Sequence, residues 1–519
     1  MSGSGDRAAF EGRESGLAFL ACLVAIAALN HPFVGMPPVW DAAAGVFAPA
    51  IHLYESGFDL AGLLAEPGYL KAGPNVHSLS SVTWATALAI AGTGADPSLY
   101  LPLLHVLNFA FAAVVGALAF VLTRRAAGSI AAWVATVGVL ATPAFRVQTG
   151  ALHTEIAGAA FVMLALAAWA SRRFGWLVAF TLAACSVKSF GLVLVAAFGL
   201  GVALDRTLPP RERVLRIGAF AAPAVLLEVA RWATAPRGQP ARGFGEHLGT
   251  LAANVAAVPD LLAILLLAAA LAIVGAVRGR GDRTTAAALA IAGLLVVFVV
   301  TAPLTGAALH PLPRYLVWVV APLWVGVASS LATFDRRAVA LLVPLAAFAA
   351  ANQDGRLYPS AEPHRRSFSL AERSLEYLDF FELQRRSLSD LATLTEGRPV
   401  FVTRGEYYLL SSPLMGWVAE PLPDARFLMR ARYRNADLGN YPDDFFVLDA
   451  GSNWYHGQGV IERLVRAVEK SDDRTLRSER EWASGVYRSR LYRVRPQPGP
   501  VRSSGSRLQP MLVNDRQAR

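Results

Sequence analysis

Long stretches without charge are the feature that most constrains this chain. Residues 100–123, 261–277 and 286–301 contain no Asp, Glu, Lys or Arg. A helix needs roughly 20 apolar residues to cross about 30 Å of hydrocarbon, so these runs are long enough, or nearly so, to span a bilayer. Charged residues make up 17% of the 519 residues, against about 25% in an ordinary soluble domain. The sequence therefore predicts a multi-pass membrane protein.

The spans are expected to be helices, because each backbone amide in lipid must be bonded within its own segment. We predict about eleven crossings, at residues 17–34, 100–123, 129–146, 152–170, 175–187, 190–204, 217–234, 261–277, 284–303, 315–332 and 338–352. With the N-terminus in the cytoplasm, the inner loops hold fifteen arginines and the outer loops six lysines or arginines. This bias obeys the positive-inside rule. Because the number of crossings is odd, the C-terminal region is then expected outside.

The net charge of +10 does not indicate a nucleic-acid-binding protein. The arginines lie mainly in short clusters between apolar spans, which is a topology signal rather than a basic binding face. Arginine- and alanine-rich usage favours a bacterial source, and hence the inner membrane. Cys22 and Cys185 lie inside apolar spans, so the sequence predicts neither a disulfide framework nor a cysteine-based metal site.

The predicted fold class is a polytopic α-helical membrane protein with a C-terminal extracytoplasmic α/β domain. Its predicted parts are a cytoplasmic N-terminus (1–16), a transmembrane domain (17–352) with a large first periplasmic loop (35–99), a periplasmic α/β domain (353–495) and a disordered tail (496–519). The loop contains an amphipathic stretch (41–54) and a short apolar helix (78–92) that we expect to lie in or dip into the outer leaflet. A loop of this length is usually functional.

The C-terminal domain is predicted from alternating helical and strand patterns. Helical periodicity covers residues 369–394 and 459–470, and short strands are expected at 399–403, 444–448 and 486–494. No catalytic cluster is evident in this domain, and we interpret its scattered Tyr and Asp residues as structural or surface positions.

Asp41 is the first candidate for chemistry. It follows Pro37, Pro38 and Trp40, at the start of the amphipathic stretch just outside the first span. An aspartate there is commonly a helix N-cap. Taken alone, Asp41 favours this structural interpretation. Alternatively, it is a general base held at the lipid–water boundary.

Glu155 is the second candidate, because a carboxylate one turn inside a bilayer is costly and is a functional candidate by default. It lies where a polar turn containing Arg146, Gln148 and His153 re-enters the membrane. The alternative is a first-turn glutamate that merely suits a helix N-terminus. His153 is a supporting candidate: a lone histidine is more often a hydrogen-bond partner than a metal ligand, so no metal site is assigned, although a divalent cation stays possible.

Lys188 is one of three lysines in the chain and lies between two short apolar spans, at their outer ends. A desolvated ammonium requires an anion, either a phosphate or one of these carboxylates; snorkelling to the headgroups is the alternative. Arg314 begins a span at the same face and could clamp a phosphate or bind lipid headgroups, with His310 and Tyr315 as supporting residues. Glu246 and His247, in another outer loop, are weaker candidates.

One membrane face thus collects acids, cations and in-plane helices, which suits chemistry on an amphiphile whose charged head lies at the outer leaflet. A transporter would more often bury polar groups near the bilayer midplane. Among the residues of the predicted spans, no such inner-half charges are evident.

At these residues the sequence resembles the glycosyltransferase C superfamily, specifically the family-39-like membrane transferases related to protein O-mannosyltransferases and the aminoarabinose transferase of lipid A. The resemblance covers about residues 17–350. It is carried, in order, by PPVWD…IHLYESG, GPNVHSLSSVTWATALAIAG, YLPLLHVLNFAFAAVVGALAFVLTRR, TPAFRVQTGALHTEIAGAAFVMLALAAW, SVKSFGLVL and HPLPRYLVWVVAPLW.

The resemblance implies an inverting transferase that takes a sugar from a polyprenyl-phosphate donor at the outer face of the inner membrane. Asp41 matches the family's first-loop acid, the base that deprotonates the acceptor hydroxyl. Glu155 falls where the family has an aspartate at the fourth crossing, so the resemblance implies the same catalytic role for Glu155, with one more methylene. Lys188 and Arg314 match basic positions that hold the donor phosphate. The expected partners are this donor, membrane lipids and an acceptor that is a lipid, a glycan or a protein.

The chain departs from the family at Ala42, where a glutamate commonly follows the first acid, and at Asn75 and Val76, where a proline is missing. These departures keep a second class open: a non-catalytic or transport protein, such as a lipid flippase or an envelope assembly scaffold. A ligase using a pyrophosphate-linked glycan is a third alternative.

Overall fold

The computed structural model describes residues 3–39, 42–59, 81–234, 244–278, 283–301, 313–358, 374–375, 377–428, 437–450, 458–485 and 487–497. The described chain is mostly helical, and its C-terminal part contains a small sheet. Asp41, His310 and residues 498–519 of the predicted tail lie outside the described residues. The prediction of a disordered tail from Pro496 is wrong at its first residue, because Pro496 ends a strand that pairs with its neighbour.

The helices of the first 352 residues are α1 (Gly3–Asn30), α2 (Ala48–Glu55, preceded by a π-helical turn, Ala43–Phe47), α3 (Ser81–Gly92), α4 (Pro97–Ala127), α5 (Ser129–Ala141), α6 (Pro143–Gly150), α7 (Glu155–Ala170), α8 (Phe174–Val187), α9 (Leu192–Leu204), α10 (Pro210–Thr234), α11 (Phe244–Ala256), α12 (Pro259–Arg278), α13 (Arg283–Thr301), α14 (Val317–Phe334) and α15 (Leu342–Ala351). The C-terminal part contains α16 (Tyr377–Thr395), β1 (Val400–Val402), α17 (Arg404–Ser411), β2 (Ala425–Phe427), β3 (Phe445–Asp449), α18 (Gln458–Glu469), β4 (Arg474–Ser484) and β5 (Tyr487–Pro496).

A helix lies in each of the eleven predicted spans. Among the described residues, four helices are long and apolar enough to cross a membrane on their own, and six spans result if each of two bent pairs is counted as one. The bent pairs are α5 with α6, at 59°, and α11 with α12, at 104°. Helices α7, α8 and α9 are apolar but shorter. The count of eleven crossings therefore stays a prediction.

Two local predictions were wrong. The segment around Arg146 was interpreted as a polar turn, but Pro143–Gly150 is a helix, because Pro143 at its first turn ends α5 and starts a new direction. Glu246 and His247 were placed in a loop, whereas both lie in α11. His247 is buried and its Nε2 lies 2.9 Å from the Val299 carbonyl oxygen, so its role is structural.

Helix α14 forms the centre of the helical part. Its side chains from Val317 to Leu331 are buried, and it packs against α4, α5, α7, α12 and α13. Small residues make this close packing possible: a Cβ at Gly138 would lie 2.5 Å from the Trp324 ring, and one at Gly158 would lie 2.0 Å from Trp318. The position of α14 fixes Arg314 and Tyr315, which immediately precede it.

The C-terminal part contains a five-stranded sheet with the order β2-β1-β3-β5-β4. Strands β2, β1 and β3 run parallel, and β5 and β4 continue the sheet antiparallel. Helix α16 packs on β4 and β5. The predicted strands at 399–403, 444–448 and 486–494 correspond to β1, β3 and β5. Strands β2 and β4 and helix α17 were not predicted.

The sheet domain packs on the segment that follows α1. Phe33, Phe47 and Leu101 share one buried apolar cluster with Met415 and Trp417. The Trp417 indole Nε1 donates a hydrogen bond to the Pro38 carbonyl oxygen at 2.7 Å. The C-terminal domain and the first loop therefore lie at the same end of the helical part.

Candidate active site at a break between two helices

The site is built around a break between two apolar helices. Helix α8 ends at Val187, and Lys188 has an extended backbone (φ −156°, ψ 157°) that interrupts the helical path. A single 3₁₀ turn, Ser189–Gly191, then leads into α9. Gly191 allows this turn, because a Cβ there would lie 2.3 Å from the Cys185 backbone nitrogen. The break presents the Lys188 side chain at the junction of the two helices.

Lys188 and Glu155 form an ion pair between the Lys188 Nζ and Glu155 Oε1. Glu155 is the first residue of α7 and its side chain is 1% exposed, while that of Lys188 is 14% exposed. The Nε of Arg314 lies 3.7 Å from the same carboxylate oxygen, and its side chain is 5% exposed. Three elements thus bring two cations to one carboxylate almost out of contact with water.

Glu155 has a second oxygen, Oε2, that is buried and has no hydrogen-bond partner among the described residues. His153, two residues earlier, is buried as well and lies within electrostatic range of the carboxylate. Counting the contacting groups, Lys188 and Arg314 carry two positive charges against one negative charge on Glu155. The remaining positive charge favours an anionic ligand, and guanidinium and ammonium groups are the usual partners of phosphate.

Aromatic rings form one wall of the site. The Lys188 Nζ lies 4.9 Å from the centre of the Tyr315 ring, and the Arg314 Cζ lies 5.3 Å from it, both within cation–π range. Phe190 makes edge contacts with Tyr315 at 5.0 Å and with Trp318 at 5.6 Å. These rings connect the lysine break to the start of α14 and hold both cations against a rigid surface.

Of the residues predicted for this site, Glu155, Lys188, Arg314, Tyr315 and His153 lie together. Asp41 and His310 lie outside the described residues, so their predicted roles stay predictions. The chain is described up to Val39 and again from Ala42, which is fully buried at the start of the π-helical turn. Among the described residues, no group of three His, Cys, Asp or Glu side chains has the geometry to hold a metal ion.

Sequence reasoning missed Glu228. This residue lies within α10 and is half-buried, and one of its carboxylate oxygens, Oε2, accepts a hydrogen bond from the Ser189 Oγ at 3.0 Å. An acidic residue inside the predicted apolar span 217–234 was the available signal.

No family model matches the sequence, and no curated protein matches it. The solved structures that match it include two of one protein. One is ArnT from Cupriavidus metallidurans bound to undecaprenyl phosphate (13% identity, TM-score 0.47), and the other is the same protein in the apo state (14% identity, TM-score 0.48). In both, the match covers 92% of this chain and 97% of the other.

Proposed function

We propose that this protein is a membrane glycosyltransferase. It transfers a sugar from a polyprenyl-phosphate-linked donor to an acceptor hydroxyl at the outer face of the bacterial inner membrane, with inversion at the sugar. The observation that carries the proposal is the meeting of Lys188 and Arg314 at the Glu155 carboxylate, at one end of three apolar helices.

The charges match the chemistry of such a donor. Breaking the bond between sugar and phosphate leaves negative charge on the phosphate oxygens, and fixed cations in a water-poor site stabilise that charge without reorganising. Lys188 and Arg314 bind and orient the phosphate in this proposal. The Tyr315 ring limits their movement, so the sugar carbon is held in line for attack.

Asp41 is the general base that accepts the proton of the acceptor hydroxyl. It stands directly before a buried turn of the first loop, which the C-terminal domain covers. In this proposal Glu155 keeps the two cations in place and shapes the anion site.

The test is a screen of the purified full-length protein with undecaprenyl-phosphate-linked and undecaprenyl-pyrophosphate-linked sugars, followed by mass spectrometry of the products. Transfer from the monophosphate-linked donors is the expected result. Transfer from pyrophosphate-linked donors alone indicates the ligase alternative, and no transfer from any donor favours the non-catalytic or transport alternative.

The base assignment is tested by Asp41→Asn, which is expected to abolish transfer while the protein inserts and folds as before. Asp96→Asn is the matched control, because Asp96 is an exposed aspartate that caps α4 by accepting a hydrogen bond from the Ser98 amide. Full transfer activity of Asp41→Asn would rule out Asp41 as the general base.

A further inference from the structure

Glu228 is an unusual residue for its position. Its neighbours on α10, Val225, Leu226 and Val229, are more than half exposed, as expected of a face turned to lipid. Glu228 itself is half-buried and turned toward the break after α8, where it accepts the Ser189 hydrogen bond. A carboxylate in an apolar membrane helix is costly, and one that is retained there usually has a specific partner.

The hydrogen bond fixes the residue directly after Lys188. Helix α10 packs against both α8 and α9, so it contacts the chain on each side of the break. At the other end of the turn, Gly191 lies against the Cys185 backbone with no space for a side chain. The turn Ser189–Gly191 is therefore held at both ends, and its orientation decides where the Lys188 side chain begins.

We infer that Glu228 is a positioning residue. By accepting the Ser189 hydrogen bond, it holds the extended Lys188 backbone in the orientation that aims the ammonium between Glu155 and Tyr315. The consequence for donor binding rests on the proposed function, whereas the consequence for the position of Lys188 does not.

The position of Lys188 can be measured without any activity assay, because the chain has three lysines, Lys71, Lys188 and Lys470. Lys188 is 14% exposed, and Lys470 is an exposed residue after α18. Brief reaction of the full-length protein with an acetylating reagent, followed by peptide mass spectrometry, gives the rate at Lys188 relative to the internal reference Lys470.

Glu228→Ala and Ser189→Ala are each expected to raise this ratio by about fivefold, which is the effect of losing one hydrogen bond of ordinary strength. Glu228→Gln is expected to keep the ratio near the wild-type value, because its amide oxygen accepts the same hydrogen bond. If Glu228→Ala fails to fold, Ser189→Ala tests the contact from the other side by removing a single hydroxyl.

Glu212→Gln is the matched control. Glu212 lies near the start of the same helix and pairs with Arg216 at an exposed position, so its substitution leaves the ratio unchanged. An unchanged ratio in Glu228→Ala and Ser189→Ala overturns the inference. A rise in Glu228→Gln as large as in Glu228→Ala also overturns it, because the charge rather than the hydrogen bond would then matter.

If the protein proves to be a donor-dependent transferase, the same variants are expected to raise the donor KM by about tenfold or more, with a smaller change in kcat. If no donor is used, the labelling ratio still decides the role of Glu228. The two failures are therefore distinguishable.

Discussion

At the scale of single residues, the site depends on where Lys188 is rather than on its charge alone. The chain has many exposed cations, such as Arg385 and Arg466, which pair with neighbouring glutamates in water and contribute little. Lys188 and Arg314 are instead held almost out of water against one carboxylate, where electrostatic interactions are stronger.

Lys188→Ala is expected to weaken donor binding by about 10- to 100-fold, because one charge-assisted contact to the phosphate is lost. The affinity for the acceptor changes much less. Titration of the purified variant with the donor and, separately, with the acceptor checks this expectation, and Lys188→Arg is the charge-conserving comparison. Unchanged donor affinity in Lys188→Ala would reassign the lysine to a structural role.

Glu155→Gln is expected to reduce the stability of the unliganded protein by about 3–5 kcal/mol, because two buried cations lose their counter-ion. Undecaprenyl phosphate is then expected to raise the Tm of the variant more than that of the wild type, since its phosphate replaces the missing charge. Thermal unfolding with and without this lipid measures both effects. Equal Tm shifts in the two proteins would contradict the assignment of the phosphate to this site.

At the scale of elements, apolar runs located helices well, but sequence could not indicate which faces meet. The run 261–277 lies inside α12, since the cost of placing charge in lipid makes such runs conspicuous. Glu155 and Lys188 are 33 positions apart, and their contact depends on how α7 and α8 are rotated about their axes. Hydropathy contains no such information.

The missed elements have physical reasons as well. Strand β4 is the edge of its sheet and is exposed at most positions, with Trp482 its buried side chain, so it lacks the alternation that indicates a strand. Glu228 was not predicted because its partner, Ser189, lies outside α10, and sequence does not show that the two side chains meet. Its charge alone did not distinguish it from Arg231, a nearby charged residue in the same predicted span.

Gly158→Ala tests the packing that holds the aromatic wall. A methyl group there would lie 2.0 Å from Trp318, so the ring must move, and overpacking of this kind costs about 1–3 kcal/mol. The expected result is a lower Tm together with weaker donor binding, because Trp318 contacts Phe190, which in turn contacts Tyr315.

Gly175→Ala is the control for that substitution. Gly175 lies in the first turn of α8, and a Cβ there would have no neighbour within 4 Å. We expect its Tm to equal or slightly exceed that of the wild type. A Gly158→Ala variant as stable as Gly175→Ala, with normal donor binding, would show that this close approach is not required.

At the scale of the whole molecule, the sheet domain has its own electrostatic support. Asp444 accepts hydrogen bonds from the Arg493 Nη2 at 2.6 Å and Nε at 2.8 Å, and Arg398 lies 3.1 Å away. The hydrogen bonds from Arg493, with the charge of Arg398, hold the pKa of Asp444 below its ordinary value. This pair joins β5 to the start of β3.

A lowered pKa makes the contribution of Asp444 depend on pH. It is fully present above the ordinary aspartate pKa of about 3.9 and is lost as the pH falls through the lower folded-state value. Thermal unfolding of the full-length protein is therefore expected to give a lower Tm for Asp444→Asn than for wild type at neutral pH, with the difference lost once the pH falls below the lowered folded-state pKa of Asp444.

Asp443→Asn is the neighbouring control, since Asp443 is 92% exposed and lies 3.9 Å from Arg474. Its Tm difference from wild type is expected to be close to zero across the same range. A Tm difference for Asp444→Asn that persists at low pH would mean that the aspartate acts through its shape rather than its charge.

The Trp417–Pro38 hydrogen bond and the apolar cluster around it have a practical consequence for experiments on truncated forms of this protein. A chain cut after Asn352 would leave Phe33, Phe47 and Leu101 uncovered, and the excised sheet domain would expose Met415 and Trp417 in turn. Uncovered apolar patches of this kind promote aggregation. Neither fragment keeps the packing of the intact protein, so experiments on fragments would report on the newly exposed apolar surfaces rather than on the intact molecule.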